Sequence, residues 1–234
     1  MNIKTFSAFC LLPALAIGSA QAALITDSSD LVGSTTTIDF NQFVGSKQLN
    51  GINGPINIGT PTEKVQASTL YDPLTMWLTN IDWSLADNGS WNSGRDGFLG
   101  TSSTASQNVN PVKIVFESGN ISGFGFFMNY FLDANTIASS VSLSAYDSGA
   151  TLLEEFTINP AGVGISTFGF NEGAFRGIQR DTADIDYILL TASNAVFDNL
   201  QFTRSASVPE PASIALLLAG LAGIGYTNKK RQKR

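Results

Sequence analysis

Carboxylates, hydroxyls and tyrosines are the groups with which this chain could do chemistry, because it has no histidine and a single cysteine, Cys10. The lack of histidine excludes Ser-His-Asp triads, Cys-His pairs and histidine zinc sites together. A glycosidase would need two carboxylates that face each other across a cleft. Glu154 and Glu155 are adjacent in a predicted strand and point to opposite faces. We therefore predict no catalytic residue and no enzyme activity.

Asp198 is the carboxylate whose surroundings are hardest to satisfy. In a regular strand it would share a face with Val196, Leu200 and Phe202 and point into the core, where a carboxylate needs partners. One interpretation is a structural calcium site, with oxygens near Asp39 as companions. The alternative is a β-bulge that turns the side chain outward or onto backbone amides. The sequence requires no cofactor, and calcium is the one metal that it suggests.

Two further acidic stretches are weaker candidates for a cation site. Asp184 and Asp186 share one face of a predicted strand, but Arg180 is near enough in sequence to neutralise them, and a solvated strand edge explains them equally well. Residues 87–96 (DNGSWNSGRD) are polar and rich in turn residues, yet they lack the ligand spacing of an EF-hand loop.

The three tryptophans, Trp77, Trp83 and Trp91, lie close together in the sequence. An exposed aromatic ring can stack on a sugar ring, and an indole offers the largest such surface. Trp77 lies in an apolar run and is expected in the core. Trp91 lies in a polar loop and is our candidate ligand-binding residue; alternatively, it packs its loop against the domain.

The N-terminus has the composition of a secretory signal peptide. Residues 1–22 contain one positive charge at Lys4, an apolar stretch, and a small-residue cleavage site at Ala20-Gln21-Ala22. Because Cys10 lies in this segment, the mature protein would have no cysteine. Disulfides, thiolate chemistry and cysteine metal sites are then excluded.

The C-terminus, residues 208–234, has the composition of a membrane stop signal. Pro209-Glu210-Pro211 precedes an apolar run over residues 212–226. A basic cluster after such a run stays in the cytoplasm, because each Lys or Arg costs roughly 2.5–3.5 kcal/mol at the centre of a bilayer. The run is shorter than the about 20 residues of a permanent span. The basic residues are Lys229, Lys230, Arg231, Lys233 and Arg234.

These three parts, in this order, resemble the PEP-CTERM sorting signal of Gram-negative bacteria. The resemblance implies that an exosortase, a membrane protease, recognises Pro209-Glu210-Pro211 and removes the tail. It also implies a host that makes exopolysaccharide, export through the inner membrane with transient anchoring there, and delivery to the cell surface or extracellular matrix. The alternative is an ordinary single-pass tail anchor.

Residues 23–207 are predicted to form one domain with a net charge near −11, from seven basic and eighteen acidic residues. This charge argues against binding nucleic acid. Apolar and polar residues alternate with period two, as at 141–146, and turn residues separate the runs. We predict an all-β fold, a β-sandwich of the jelly-roll type. Predicted strands include 65–70, 74–81, 112–117, 121–129, 151–158, 166–170, 174–180, 184–191 and 195–203, whereas 33–60 lacks periodicity and reads as loops or an edge strand.

Residues 112–203 also resemble a secreted jelly roll that is common among proteins with this tail. The matching phrases are ISGFGFF at 121–127, the YD-x-G turn at 146–149, AFRGI at 174–178 and AVFDNLQFT at 195–203. The resemblance implies a fold akin to carbohydrate-binding modules and carries no ligand with it. We expect non-catalytic binding or structuring of exopolysaccharide. A structural or adhesive protein with protein partners is the alternative, and a glycan hydrolase is a third.

Overall fold

The computed structural model describes residues 23–70, 76–80, 96–102, 111–133, 141–158, 168–192 and 194–204. These residues form β-strands and three single-turn 3-10 helices, so the all-β prediction is confirmed. The strands are β1 (Ala23–Ile25), β2 (Thr35–Ile38), β3 (Leu49–Ile52), β4 (Ile56–Asn57), β5 (Val65–Thr69), β6 (Met76–Thr79), β7 (Phe98–Ser102), β8 (Val112–Phe116), β9 (Gly123–Asp133), β10 (Val141–Tyr146), β11 (Leu152–Ile158), β12 (Phe168–Gln179), β13 (Tyr187–Thr191) and β14 (Asn194–Thr203). The 3-10 helices are Ser28–Asp30, Asn41–Phe43 and Gly45–Lys47.

The strands build two antiparallel sheets that pack face to face as a sandwich. Sheet A has the order β1-β12-β9-β14-β7-β6-β3, and β2 also pairs with β14. Sheet B has the order β11-β10-β13-β8-β5-β4. β10 and β11 form the predicted hairpin, which turns at Asp147–Ala150. The predicted sandwich is therefore confirmed.

Alternating side chains from both sheets fill the space between them. In β8 the side chains of Val112, Ile114 and Phe116 are buried in the core, while Lys113 and Val115 point outward. Aromatic rings from sheet A interlock in the same core, with ring centroids 5.5 Å apart for Phe126 and Phe197. Each such ring contributes about 1.5–3 kcal/mol on burial. The core thus fixes which residues of sheet B face solvent.

The strand predictions were correct in position but not in every boundary. The predicted strands at 166–170 and 174–180 are one strand, β12, whose register shifts between Asn171 and Ala174. Within residues 33–60, β2 pairs with β14 alone among the described strands, and β3 and β4 each lie at the end of a sheet, so the predicted edge position is confirmed. None of the described residues belongs to a helix long and apolar enough to cross a membrane. The predicted signal peptide, the segment 212–226 and the basic tail lie outside the described residues.

Candidate functional site

The first candidate site is a strand junction in sheet A. The N-terminal half of β14 pairs with β7, from Asn194 to Phe197, and its C-terminal half pairs with β2, from Leu200 to Thr203. Between the two halves, the pairing of β14 with β9 shifts register after Asp198, and Asn199 has a positive φ of 48°. A β-bulge therefore lies where the end of β2 meets the start of β7.

The bulge changes where the Asp198 side chain points. Phe197 and Leu200 both belong to the core, so the extra residue shifts the alternation by one and puts Asp198 on the outward face with Val196. Of the two interpretations of Asp198, the β-bulge that turns the side chain outward is confirmed, and the regular strand that would face it toward the core with Leu200 and Phe202 is not. The side chain is nevertheless only 3% exposed.

The carboxylate of Asp198 is held by the residue that follows it. Its Oδ1 accepts a hydrogen bond from the Asn199 backbone N–H at 2.6 Å, and its Oδ2 accepts one from Asn199 Nδ2 at 3.1 Å. Burial raises the pKa of Asp198 to about 7; the Asn199 N–H opposes this rise, and the negative charges of Asp96 and Asp39 add to it. A charged Asp198 is therefore costly in this environment.

Asp39 and Asp96 come from the two strand ends that meet at the bulge. Asp39 accepts hydrogen bonds from the backbone N–H and the Nδ2 of Asn41, both at 3.1 Å. Asn41 Oδ1 in turn accepts one from the Gly97 backbone N–H at 2.9 Å. Gly97 lies so close to the carbonyl of Phe40 that a Cβ atom would clash with it. These contacts hold the end of β2 against the start of β7.

This junction does not assemble a complete metal site from side chains alone. Among the described residues, no group of three or more carboxylates lies close enough together to hold a metal ion. A pocket of about 260 Å³ opens beside Asp39. Both apolar and polar residues line the pocket: Thr37, Ile38, Asp39, Gln42, Ile58, Gly59, Thr60 and Pro61. Calcium binding by Asp198 and Asp39 stays a prediction.

Of the predicted acidic pair, Asp184 and Asp186, the first forms an ion pair with Arg180. Arg180 donates from Nε to Asp184 Oδ1 at 2.7 Å and from Nη2 to Asp184 Oδ2 at 2.9 Å. Burial of the Asp184 carboxyl opposes ionisation, but hydrogen bonds that include this fork outweigh it and lower its pKa. Arg180 Nη1 also lies 4.0 Å from Glu154. These contacts join β11 to the segment before β13 and act structurally.

The second candidate site is the outward face of sheet B, where two tyrosines stack. The rings of Tyr146 in β10 and Tyr187 in β13 are nearly parallel, with an interplanar angle of 4° and centroids 4.9 Å apart. Lys113 Nζ in β8 lies 3.8 Å from the centre of the Tyr187 ring. The three side chains form a layered group across three adjacent strands, which we call the tyrosine stack.

Hydroxyl groups lie beside the tyrosine stack on the same face. Glu155 accepts hydrogen bonds from Ser144 Oγ at 3.2 Å and from Thr157 Oγ1 at 3.1 Å. Across the described residues, neither tyrosine hydroxyl makes a hydrogen bond to the protein, and no carboxylate lies within ion-pair distance of Lys113.

The sequence reasoning did not find the tyrosine stack. Alternation at 141–146 puts Tyr146 on the polar side of its strand, but Tyr187 lies 41 positions away in the sequence. The outward position of Tyr146 is the available signal, whereas its pairing with Tyr187 needs the strand order. The favoured Trp91 lies outside the described residues, as do Pro209, Glu210 and Pro211.

The C-terminal segment matches a known family model. Residues 207–231 match the PEP-CTERM protein-sorting motif. The chain carries a PEP-CTERM sorting motif. The predicted resemblance is confirmed for this segment, and the motif implies export, cell-surface sorting and processing by an exosortase.

Solved structures similar to the chain include binding and adhesin domains. The K1 cleaved adhesin domain of Lys-gingipain from Porphyromonas gingivalis W83 is 15% identical, with a TM-score of 0.37 over 74% of this chain and 100% of that chain. The lectin domain of lectinolysin, complexed with Lewis B antigen, is 11% identical, with a TM-score of 0.34 over 62% and 94%. A family 6 carbohydrate-binding module is 17% identical, with a TM-score of 0.26 over 78% and 94%. Likeness this weak carries no functional argument.

A search of curated proteins finds no match to the chain.

Proposed function

We propose that this chain is a non-catalytic surface protein of an exopolysaccharide-producing Gram-negative bacterium, and that its sandwich binds or structures that polysaccharide. An exosortase releases it from transient anchoring in the inner membrane. The processed protein then resides at the cell surface or in the extracellular matrix. The observation that carries the binding role is the tyrosine stack on the outward face of sheet B, where two parallel aromatic rings lie beside an ammonium group.

The sorting motif supports the route. In this proposal residues 212–226 anchor the precursor, and Lys229, Lys230, Arg231, Lys233 and Arg234 keep its end in the cytoplasm. The exosortase recognises Pro209-Glu210-Pro211. We expect mass spectrometry of the protein recovered from native cells to find a C-terminal peptide that ends before residue 212. An intact tail in all mature protein would mean a permanent anchor and no exosortase processing.

The polysaccharide role is tested by co-sedimentation of the processed protein with the host's exopolysaccharide, once with calcium and once with a chelator. We expect the protein to pellet with the polymer. A folded protein that stays in the supernatant under both conditions would rule out the sugar-binding role. A structural or adhesive function with protein partners would then remain.

A structural calcium ion at Asp198 and Asp39 is part of the proposal. It would neutralise a buried carboxylate that also feels the charges of Asp39 and Asp96. Binding that a chelator abolishes would support this site and would favour testing Trp91 as an additional sugar platform. Shortening of the polymer during incubation would instead indicate a glycan hydrolase.

A further inference from the structure

We infer that the outward face of sheet B binds a neutral polysaccharide, with one sugar ring packed against Tyr146 and Leu152 and with Tyr187 as the positioning residue. This inference rests on the proposed polysaccharide role. It adds the binding surface, the class of polymer and the residue that contacts the sugar.

The tyrosine stack ends at an exposed leucine. β13 lies between β8 and β10 in sheet B, so Lys113 and Tyr146 approach Tyr187 from opposite sides. Both faces of the Tyr187 ring are therefore occupied. Tyr146 has Tyr187 on one side and its cross-strand partner Leu152, which is 49% exposed, on the other. A sugar ring can pack across Tyr146 and Leu152 from the solvent side.

The residues in register with Tyr146 form a continuous row across the sheet. This row runs through all six strands of sheet B and spans roughly 24 Å, because neighbouring strands lie about 4.8 Å apart. Its residues change from apolar to amide along the row, in the order Leu152, Tyr146, Tyr187, Val115, Gln66 and Asn57. A row of this length suits an extended chain of several sugars rather than one monosaccharide.

The charges on and around this row favour an uncharged polymer. The ammonium group of Lys113 already faces the Tyr187 ring, and Glu155 accepts two hydroxyl hydrogen bonds. Asp147 and Asp186 flank the tyrosines. Burial raises the pKa of Tyr187, and the neighbouring Tyr146 and the negative charges of Asp147 and Asp186 raise it further. A polyanion would meet these carboxylates on an already acidic domain. A neutral sugar offers C–H groups to the ring and hydroxyls to the polar neighbours.

Tyr146 and Tyr187 have different expected roles. Tyr146 contacts the sugar, so Y146A should weaken binding about tenfold, whereas Y146F keeps the ring and should stay within about twofold of the wild type. Tyr187 holds the Tyr146 ring upright, so Y187A should weaken binding less, and Y187F should restore it. L24A removes an exposed side chain from β1, far from this face, and is the matched control.

The test measures binding of the processed protein and these variants to the host's exopolysaccharide from about 50 mM to about 500 mM NaCl, a range over which ionic contacts weaken strongly. We expect binding that is insensitive to salt. Circular dichroism and thermal melts establish that each variant is folded.

The outcomes separate the inference from the proposed function. Binding that persists in folded Y146A would overturn this site and leave the polysaccharide role intact. Binding that falls steeply with salt would overturn the neutral class. A wild-type protein that binds no polysaccharide under any condition would overturn the proposed function and this inference together.

Discussion

Sheet A buries large apolar side chains on both of its faces, whereas sheet B buries them on one and, among the described residues, buries only Ser142 and Ser144 on the other. Val196 in β14 and Phe98 in β7 lie outside the inter-sheet core, yet both are fully buried. In β13 of sheet B, Tyr187 and Leu189 alternate with buried neighbours and stay partly exposed. A strand buried on both faces has a continuous apolar run, as in Ala195–Phe197, and a strand buried on one face alternates. The surface free for a partner is therefore on sheet B, and the costly buried carboxylate is in sheet A.

The same substitution on the two outward faces gives the sharpest test of this difference. We expect V196D to reduce the free energy of unfolding by about 4 kcal/mol, because it places an unpaired charge at a fully buried position. Val115 lies on the partly exposed face of sheet B, so V115D should lower the free energy of unfolding by about 1 kcal/mol or less. Urea unfolding measures both values. Equal losses would contradict the idea that only sheet A is covered on both faces.

The buried carboxylate makes sheet A sensitive to pH. Because burial raises the pKa of Asp198 to about 7, the folded protein binds this proton more tightly than the unfolded chain does. The free energy of unfolding should therefore fall as pH rises from about 4 to about 7, by on the order of 3 kcal/mol for this group. D198N should remove this part of the fall and be more stable than the wild type at pH 8 without calcium. Unfolding free energies at a series of pH values check this, and an unchanged pH profile in D198N would refute it.

Calcium should stabilise the same region of sheet A, where the ionised Asp198 is destabilising. If Asp198 and Asp39 bind the ion, calcium at a hundred times its dissociation constant should stabilise the wild type by about 2.7 kcal/mol. Thermal melts at pH 8 with calcium or with a chelator measure the gain. D198N and D39N should show little or none of it. The same calcium effect in all three proteins would place the ion elsewhere.

The smallest expected effects concern two residues with positive φ, one in each sheet. Ala150, in the β10–β11 turn of sheet B, has φ of 60°, which costs a residue with a Cβ more than glycine. A150G should therefore stabilise the protein by about 0.5–1 kcal/mol in urea unfolding. At the bulge in sheet A, N199G should be more stable than N199A by about 1 kcal/mol, since both lose the side-chain contact to Asp198. A destabilised A150G would show that the turn is not strained.

Strand positions were predictable because they depend on local alternation. Residues 112–117 and 195–203 were assigned as strands from their apolar patterns, and β8 and β14 lie there. For Asp198 regular alternation predicts an inward side chain, and the alternative, a β-bulge that turns it outward or onto a backbone amide, is confirmed. The Asp198-Asn199 pair favours a bulge, since Asn tolerates positive φ better than most residues. The position of the bulge depends on where β14 changes its partner from β7 to β2.

The meeting of distant residues was not predictable from local pattern. Asp39, Asp96 and Asp198 approach one another because β14 changes its neighbour partway along its length. Tyr146 and Tyr187 stack because β10 pairs with β13 in one particular register. Strand order and register arise from packing of the whole core, which no short window of sequence contains.

The placement of β14 also determines how the protein bears mechanical tension. The sorting motif follows β14 after a few residues, so a pull on the C-terminus acts first on this strand. β14 is hydrogen-bonded along both sides, to β9 on one and to β7 and β2 on the other, and Arg204 binds Glu63 Oε2 through Nη2 at 2.8 Å. A tethered strand at the sheet edge would peel away one hydrogen bond at a time. An interior strand yields only when two rows break together.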